Sequence, residues 1–117
     1  MYVQKQTVTV TTDASGDATE YTTHIQYGKI NRIEYTKTNY ADGVDFVITG
    51  EDSGKVLWQE SGVNASKSIS PRQEVHTVQG EPIADQYDDI VIAAERIKIV
   101  VDEGGDTKKG TFTFYLV

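Results

Sequence analysis

The sequence contains no cysteine, which excludes a disulfide framework and any thiolate metal site and leaves packing and hydrogen bonding to hold the fold. Histidine is nearly as scarce. His24 and His76 lie far apart in polar surroundings, with no carboxylate or second histidine at metal-ligand spacing, so both read as surface residues. Arginine is limited to Arg32, Arg72 and Arg96, with no basic cluster around them, and the net charge is −7. Phosphate contacts dominate affinity for nucleic acid, so DNA and RNA are excluded as main ligands. No apolar run is long enough to cross a bilayer, and the opening Met1-Tyr-Val-Gln-Lys-Gln-Thr-Val-Thr-Val lacks the apolar stretch of a signal peptide; synthesis in the cytoplasm and no membrane partner are expected. Helical periodicity is almost missing as well. Its one candidate is Gln86 to Arg96, where Tyr87, Ile90, Val91 and Ala94 fit a short helix.

What the chain does have is β-type patterning throughout. Its 117 residues, 38% hydrophobic and 25% charged, are enough for one core and one domain over 1–117. The apolar share is slightly lean, so partners are expected to complete part of the apolar surface. Residues 2–12 alternate, with Tyr2, Gln4, Gln6, Val8 and Val10 on one face and Val3, Lys5, Thr7, Thr9 and Thr11 on the other, which predicts an edge strand. Asp13 to Asp17 is a cluster of turn formers before a second β-type run, and predicts a hairpin across residues 13–18. In the strand at 28–38, Ile30 and Ile33 stand at odd spacing; a bulge near Asn31 or Arg32 would bring both to one face. Val44, Phe46 and Ile48 alternate up to Gly50, and Glu51-Asp-Ser-Gly54 leads into a strand at Lys55 to Glu60, a further hairpin.

The stretch from Ser61 to Asp89 is the least regular, holds both prolines, Pro71 and Pro82, and predicts long loops with one or two short strands, the first place to look for a contact surface. Near the end, Ile97, Ile99 and Val101 alternate, a Gly-Gly loop follows, and Phe112, Phe114 and Leu116 share a face. These two runs predict an antiparallel hairpin. The sum is an all-β fold, an antiparallel β-sandwich or barrel of jelly-roll-like type, with roughly eight to ten short strands and at most one short helix.

Motifs for chemistry are missing. No serine lies in a nucleophile-elbow context, and neither a catalytic set nor a cofactor site is expected. Three acidic groups, Asp13/Asp17/Glu20, Asp85/Asp88/Asp89 and Asp102/Glu103/Asp106, lack the ligand spacing that calcium loops need and read as solvated turn carboxylates, not a metal site. Trp58 and the seven tyrosines could form a sugar-stacking face, though a lone tryptophan in a strand reads first as core.

Two blocks carry a family resemblance. Val-Ile-Thr-Gly-Glu-Asp-Ser-Gly-Lys-Val-Leu (47–57), with Gly-Val-Asn-Ala-Ser (62–66) and Ser-Pro-Arg (70–72), and the closing Ala-Glu-Arg-Ile-Lys-Ile-Val-Val-Asp-Glu-Gly-Gly-Asp-Thr-Lys-Lys-Gly-Thr-Phe-Thr-Phe (94–114) resemble small virion proteins of tailed bacteriophages. Together they span a little under half the chain, and the first forty residues lie outside them. The resemblance implies a structural, non-enzymatic virion protein of the capsid decoration or cement type, with a head–tail or tail component as the alternative; a host-attachment glycan-binding module, with the tyrosines and Trp58 as its stacking face, is the rival that the residues themselves offer. It implies the major capsid protein or other virion proteins as partners and a homo-oligomer, and it carries over no ligand residues. An exposed edge strand and irregular loops would then supply the capsid or subunit contacts, which places them at Tyr2, Gln4, Gln6, Arg72, His76 and Tyr87.

Overall fold

The computed structural model describes residues 3–24 and 26–117. Among them the chain forms ten strands and no helix: β1 Gln4–Thr11, β2 Ala18–Tyr21, β3 Gln26–Lys37, β4 Val44–Gly50, β5 Val56–Val63, β6 Lys67–Ile69, β7 Arg72–His76, β8 Pro82–Glu95, β9 Ile97–Asp102 and β10 Lys109–Leu116. One sheet runs β1-β10-β3-β8-β7, with β6 also paired to β3, and the other runs β2-β9-β4-β5. All pairings are antiparallel. The two sheets pack as a sandwich, as the period-two patterning predicts.

Alternation explains which residues meet between the sheets. Val44, Phe46 and Ile48 of β4, Ile97, Ile99 and Val101 of β9, and Phe112, Phe114 and Leu116 of β10 are all buried. Phe46 sits at the centre, with ring centroids 4.8 Å from Trp58, 5.2 Å from Phe112 and 5.3 Å from Tyr35. Trp58 is therefore core, as its strand context suggests.

The odd spacing of Ile30 and Ile33 resolves as a bulge. Tyr115 pairs with Arg32 and Leu116 with Ile30, so Asn31 is the extra residue, and both isoleucines are fully buried. A second irregularity, between Gln26 and Tyr27 opposite β8, accompanies Ala94 at φ 60°. It turns Glu95 inward, where the side chain is buried.

Three expectations are corrected. Residues 13–18 and 103–108 do not close hairpins: β1 and β10 belong to one sheet, β2 and β9 to the other, so both loops cross the sandwich. Matched apolar faces are equally well buried across two sheets as within one, and alternation alone does not separate these cases. The two crossing loops hold each other, with Gly104 N–H donating to Gly16 O at 2.9 Å and Thr107 N–H to Asp13 O at 3.1 Å. At Gln86 to Arg96, by contrast, the all-β reading holds over its helical alternative: Ile90 and Ile92 point inward while Val91 and Ala93 face out, a period of two. The stretch 61–89 is not mainly loop; it holds the end of β5, all of β6 and β7, and half of β8.

Candidate functional site

The register along β3 locates the feature that projects from the sandwich. Residues 26–30 of β3 pair with Glu95 down to Ile90, and residues 33–35 pair with Ile69 down to Lys67. Segments 90–95 and 67–69 thus lie end to end as one antiparallel strand on the same edge of β3. The Asn31 bulge marks the break between them, and residues 70–89 leave the sheet there as a two-stranded ribbon, β7 with the first half of β8. The long axis of the molecule is 47 Å against 28 and 23 Å for the others.

This arm is held at its root. Arg72 pairs with Asp89 at 3.1 Å, Lys55 Nζ donates to Gln73 Oε1 at 2.8 Å, and Pro71 is buried. Beyond the root the ribbon has solvent on both sides. Tyr87 is 61% exposed, Val78 99% and Ile83 38%, and the ladder breaks between Glu74 and His76, where Asp85 takes φ 60°. A lone two-stranded ribbon in water is marginal, so its apolar side chains favour a covering surface. The outward face of β8 continues the apolar run with Val91, 46% exposed, beside Lys29, and with Ala93 beside Tyr27, 61% exposed.

The sequence-predicted contact residues fall into two groups. Arg72, His76 and Tyr87 come together on the arm, opposite Asp89, Pro82 and Glu74 respectively. Gln4 and Gln6 lie on β1, at the other edge of the sheet, half-buried on its inner face. Tyr2 lies outside the described residues.

A group that the sequence reading missed lies on the outer face of the first sheet. Tyr115 of β10 is flanked by Lys5 of β1 and Arg32 of β3, with Lys5 Nζ 5.9 Å and Arg32 Cζ 4.4 Å from its ring centroid. Glu34 joins this face, 3.1 Å from Arg32 and accepting the Tyr115 hydroxyl at 3.3 Å. Each cation is isolated in sequence. Only the pairing β1-β10-β3 brings them side by side, and that long-range register leaves no mark on any single strand.

The crossing loops bring Asp17 to Asp102, two residues assigned to separate acidic groups in the sequence. A hydrogen bond from one carboxyl to the other, with little room for two charges, raises the pKa of Asp17 above its ordinary value. The depression they border, about 420 Å³ and lined also by Asp13, Ala18, Thr19, Val100 and Val101, is open to solvent. A second depression of about 280 Å³, over Glu34 to Thr36 and Ser66 to Ser68, is shallower still. Among the described residues no three His, Cys, Asp or Glu side chains converge as a metal site.

Comparison with known proteins gives little. No family model matches the chain, and no curated protein matches it. Among solved structures it is similar to a chain of the virus-like particle of extra small virus from the giant freshwater prawn Macrobrachium rosenbergii, at 11% identity and a TM-score of 0.39, over 98% of this chain and 78% of that one. A likeness that slight does not bear on function.

Proposed function

We propose that this chain is a non-enzymatic structural virion protein of the capsid decoration or cement type, which binds the outer capsid surface through the major capsid protein and stabilises the particle. The observation that carries the reading is the arm at 70–89: an excursion from an edge strand that touches its own sandwich only at its root and presents Tyr87, Val78 and Ile83 to solvent. Proteins that act through surfaces need such an element; an enzyme of this size needs a cleft. The residue resemblance to tailed-phage virion proteins supports the same class. The glycan-binding alternative loses its platform, because Trp58 is packed against Phe46 and the exposed Tyr27 and Tyr87 lie about 20 Å apart along the β3–β8 face at strand rise.

Cosedimentation with tailed-phage heads that lack the protein tests this reading. Saturable binding by the full chain, with greater resistance of the heads to heat, is expected. A folded chain that stays in the supernatant at every concentration overturns it.

A further inference from the structure

The arm and the Tyr115 face differ in charge in a way that the composition hides. Along the arm stand Glu74, Glu81, Asp85 and Asp88, and among the described residues none of them forms an ion pair, while Arg72, the one arginine there, is already paired with Asp89. The outer face around Tyr115 carries Lys5, Arg32 and, next along β3, Lys29; Arg32 is paired with Glu34 at 3.1 Å, and the charge left over is that of Lys5 and Lys29, which form no ion pair among the described residues. An acidic chain thus keeps a cationic face on the sheet and concentrates unpaired acids on a projection. Both also carry a tyrosine of the kind that anchors interfaces, the exposed Tyr87 on the arm and the half-buried Tyr115 on the face.

We propose that the arm of one copy docks on the Lys5–Tyr115–Arg32 face of a second copy of this chain, in a head-to-tail contact that repeats around a ring. The partner is a second copy because the complementary face is on the page, built by this same sequence. The geometry favours repetition: Lys5, Tyr115 and Arg32 lie in a row across β1, β10 and β3, and the arm leaves the sheet beside the Asn31 bulge, at the end of that row. A copy that receives an arm on the row therefore extends its own arm onward. Such a contact is heterologous and closes as a ring when the rotation per copy allows. The inference rests on the reading of the arm as a contact element and assigns it the contact between copies, so that the assembled ring, and not a free arm, meets the capsid.

Sedimentation velocity over a concentration series, at low and high salt, tests it on the full chain. A discrete oligomer weakened by salt is expected. Two charge-reversed proteins sharpen the test: Lys5→Glu with Arg32→Glu on the face, and Glu74→Lys with Asp88→Lys on the arm. All four positions are exposed, so both variants should remain folded, the arm variant with a midpoint near that of the parent and the face variant with a modestly lower one, because it loses the Arg32–Glu34 bridge and the cations over Tyr115. Each variant alone should associate at least about tenfold more weakly, and an equimolar mixture should recover association between unlike copies, because there each arm again meets a face of opposite charge; alternation closes a ring of an even number of copies and leaves one mismatched contact in an odd one. A monomer at all concentrations overturns the inference, and so does an oligomer that neither reversal weakens, as pairing through the β1 edge would give. A monomer that still cosediments with phage heads overturns this inference alone. An oligomer that ignores the heads overturns the decoration reading alone.

Discussion

Glu95 receives the backbone amide hydrogen of Ser53 at 3.0 Å, and with the same Oε1 that of Asp52 at 2.9 Å. The last residue of β8, in one sheet, therefore fastens the turn between β4 and β5 of the other. Gly50 leaves room for it, since a Cβ there would run into the Glu95 carboxylate and the Ser53 hydroxyl.

The hydrogen bond from Ser53, with that from Asp52 and the charge of Lys55, holds the Glu95 carboxyl below its ordinary pKa of 4.5 despite burial. A carboxyl with a lowered folded pKa contributes stability that is present above its unfolded pKa and lost as pH falls through the folded one. Glu95→Gln should cost about 2 kcal/mol at neutral pH, the scale of hydrogen bonds to a charged group. Urea unfolding at a series of pH values checks this: parent and variant should converge as the pH drops below 4.5.

Glu95 also shows where sequence reading stops. Its approach to the β4–β5 turn depends on Ala94 adopting φ 60°, and nothing in Ile-Ala-Ala-Glu-Arg announces a left-handed alanine. The Asn31 bulge was legible because two isoleucines at odd spacing cannot share a face otherwise. The strands, the core face of β4, β9 and β10 and the edge position of β1 were legible for the same reason, since burial imposes a period of two. Sheet membership was not, because β1 with β2, and β9 with β10, bury matched faces whether paired or opposed. The arm was half legible: Pro71, Pro82 and the polar run marked it as irregular, yet a ribbon without a core has no apolar alternation to reveal its strands. The Lys5–Tyr115–Arg32 face needed three strands placed in register.

Phe46 is the side chain on which both sheets converge, between Trp58 and Phe112 in edge-to-face contact. Phe46→Ala should cost about 4 kcal/mol through lost burial and the cavity left behind. For a small domain that is a large part of the total stability. The midpoint of urea unfolding should fall accordingly, and Trp58 emission should shift to the red in the folded baseline as its ring loses its neighbour.

Asp17 and Asp102 oppose Glu95 in their effect on pH dependence. The raised folded pKa of Asp17, caused first by the hydrogen bond with Asp102, means the folded state holds that proton more tightly than the unfolded one. Its contribution is present at low pH and lost as pH rises through the folded pKa. Asp102→Asn keeps a hydrogen-bonding partner and removes the repulsion. The variant should melt above the parent at neutral pH, and the difference should vanish in acid. A midpoint below that of the parent at neutral pH would show that the pair is held by its surroundings in a way that outweighs repulsion.

The register along β3 makes the arm removable. Ile69 opposes Ile33 and Ile90 opposes Ile30, so the ends of the excursion are separated along the sheet only by the space facing Asn31 and Arg32. Replacing residues 70–89 with a short Asn-Gly link should join 67–69 to 90–95 as one continuous edge strand. The losses are the exposed Arg72–Asp89 bridge, which contributes on the order of 0–1 kcal/mol, the Lys55–Gln73 hydrogen bond and the burial of Pro71. None involves Phe46, Trp58, Phe112 or Tyr35, so the shortened chain should fold with unchanged Trp58 emission and a modestly lower thermal midpoint. Far-ultraviolet circular dichroism and calorimetry would measure both. Self-association and binding to phage heads should both disappear in the same protein. Unfolding of the shortened chain would instead show that the ribbon belongs to the folding unit, and the end-to-end alignment of 67–69 with 90–95 would then be a result of the arm and not the ground from which it extends.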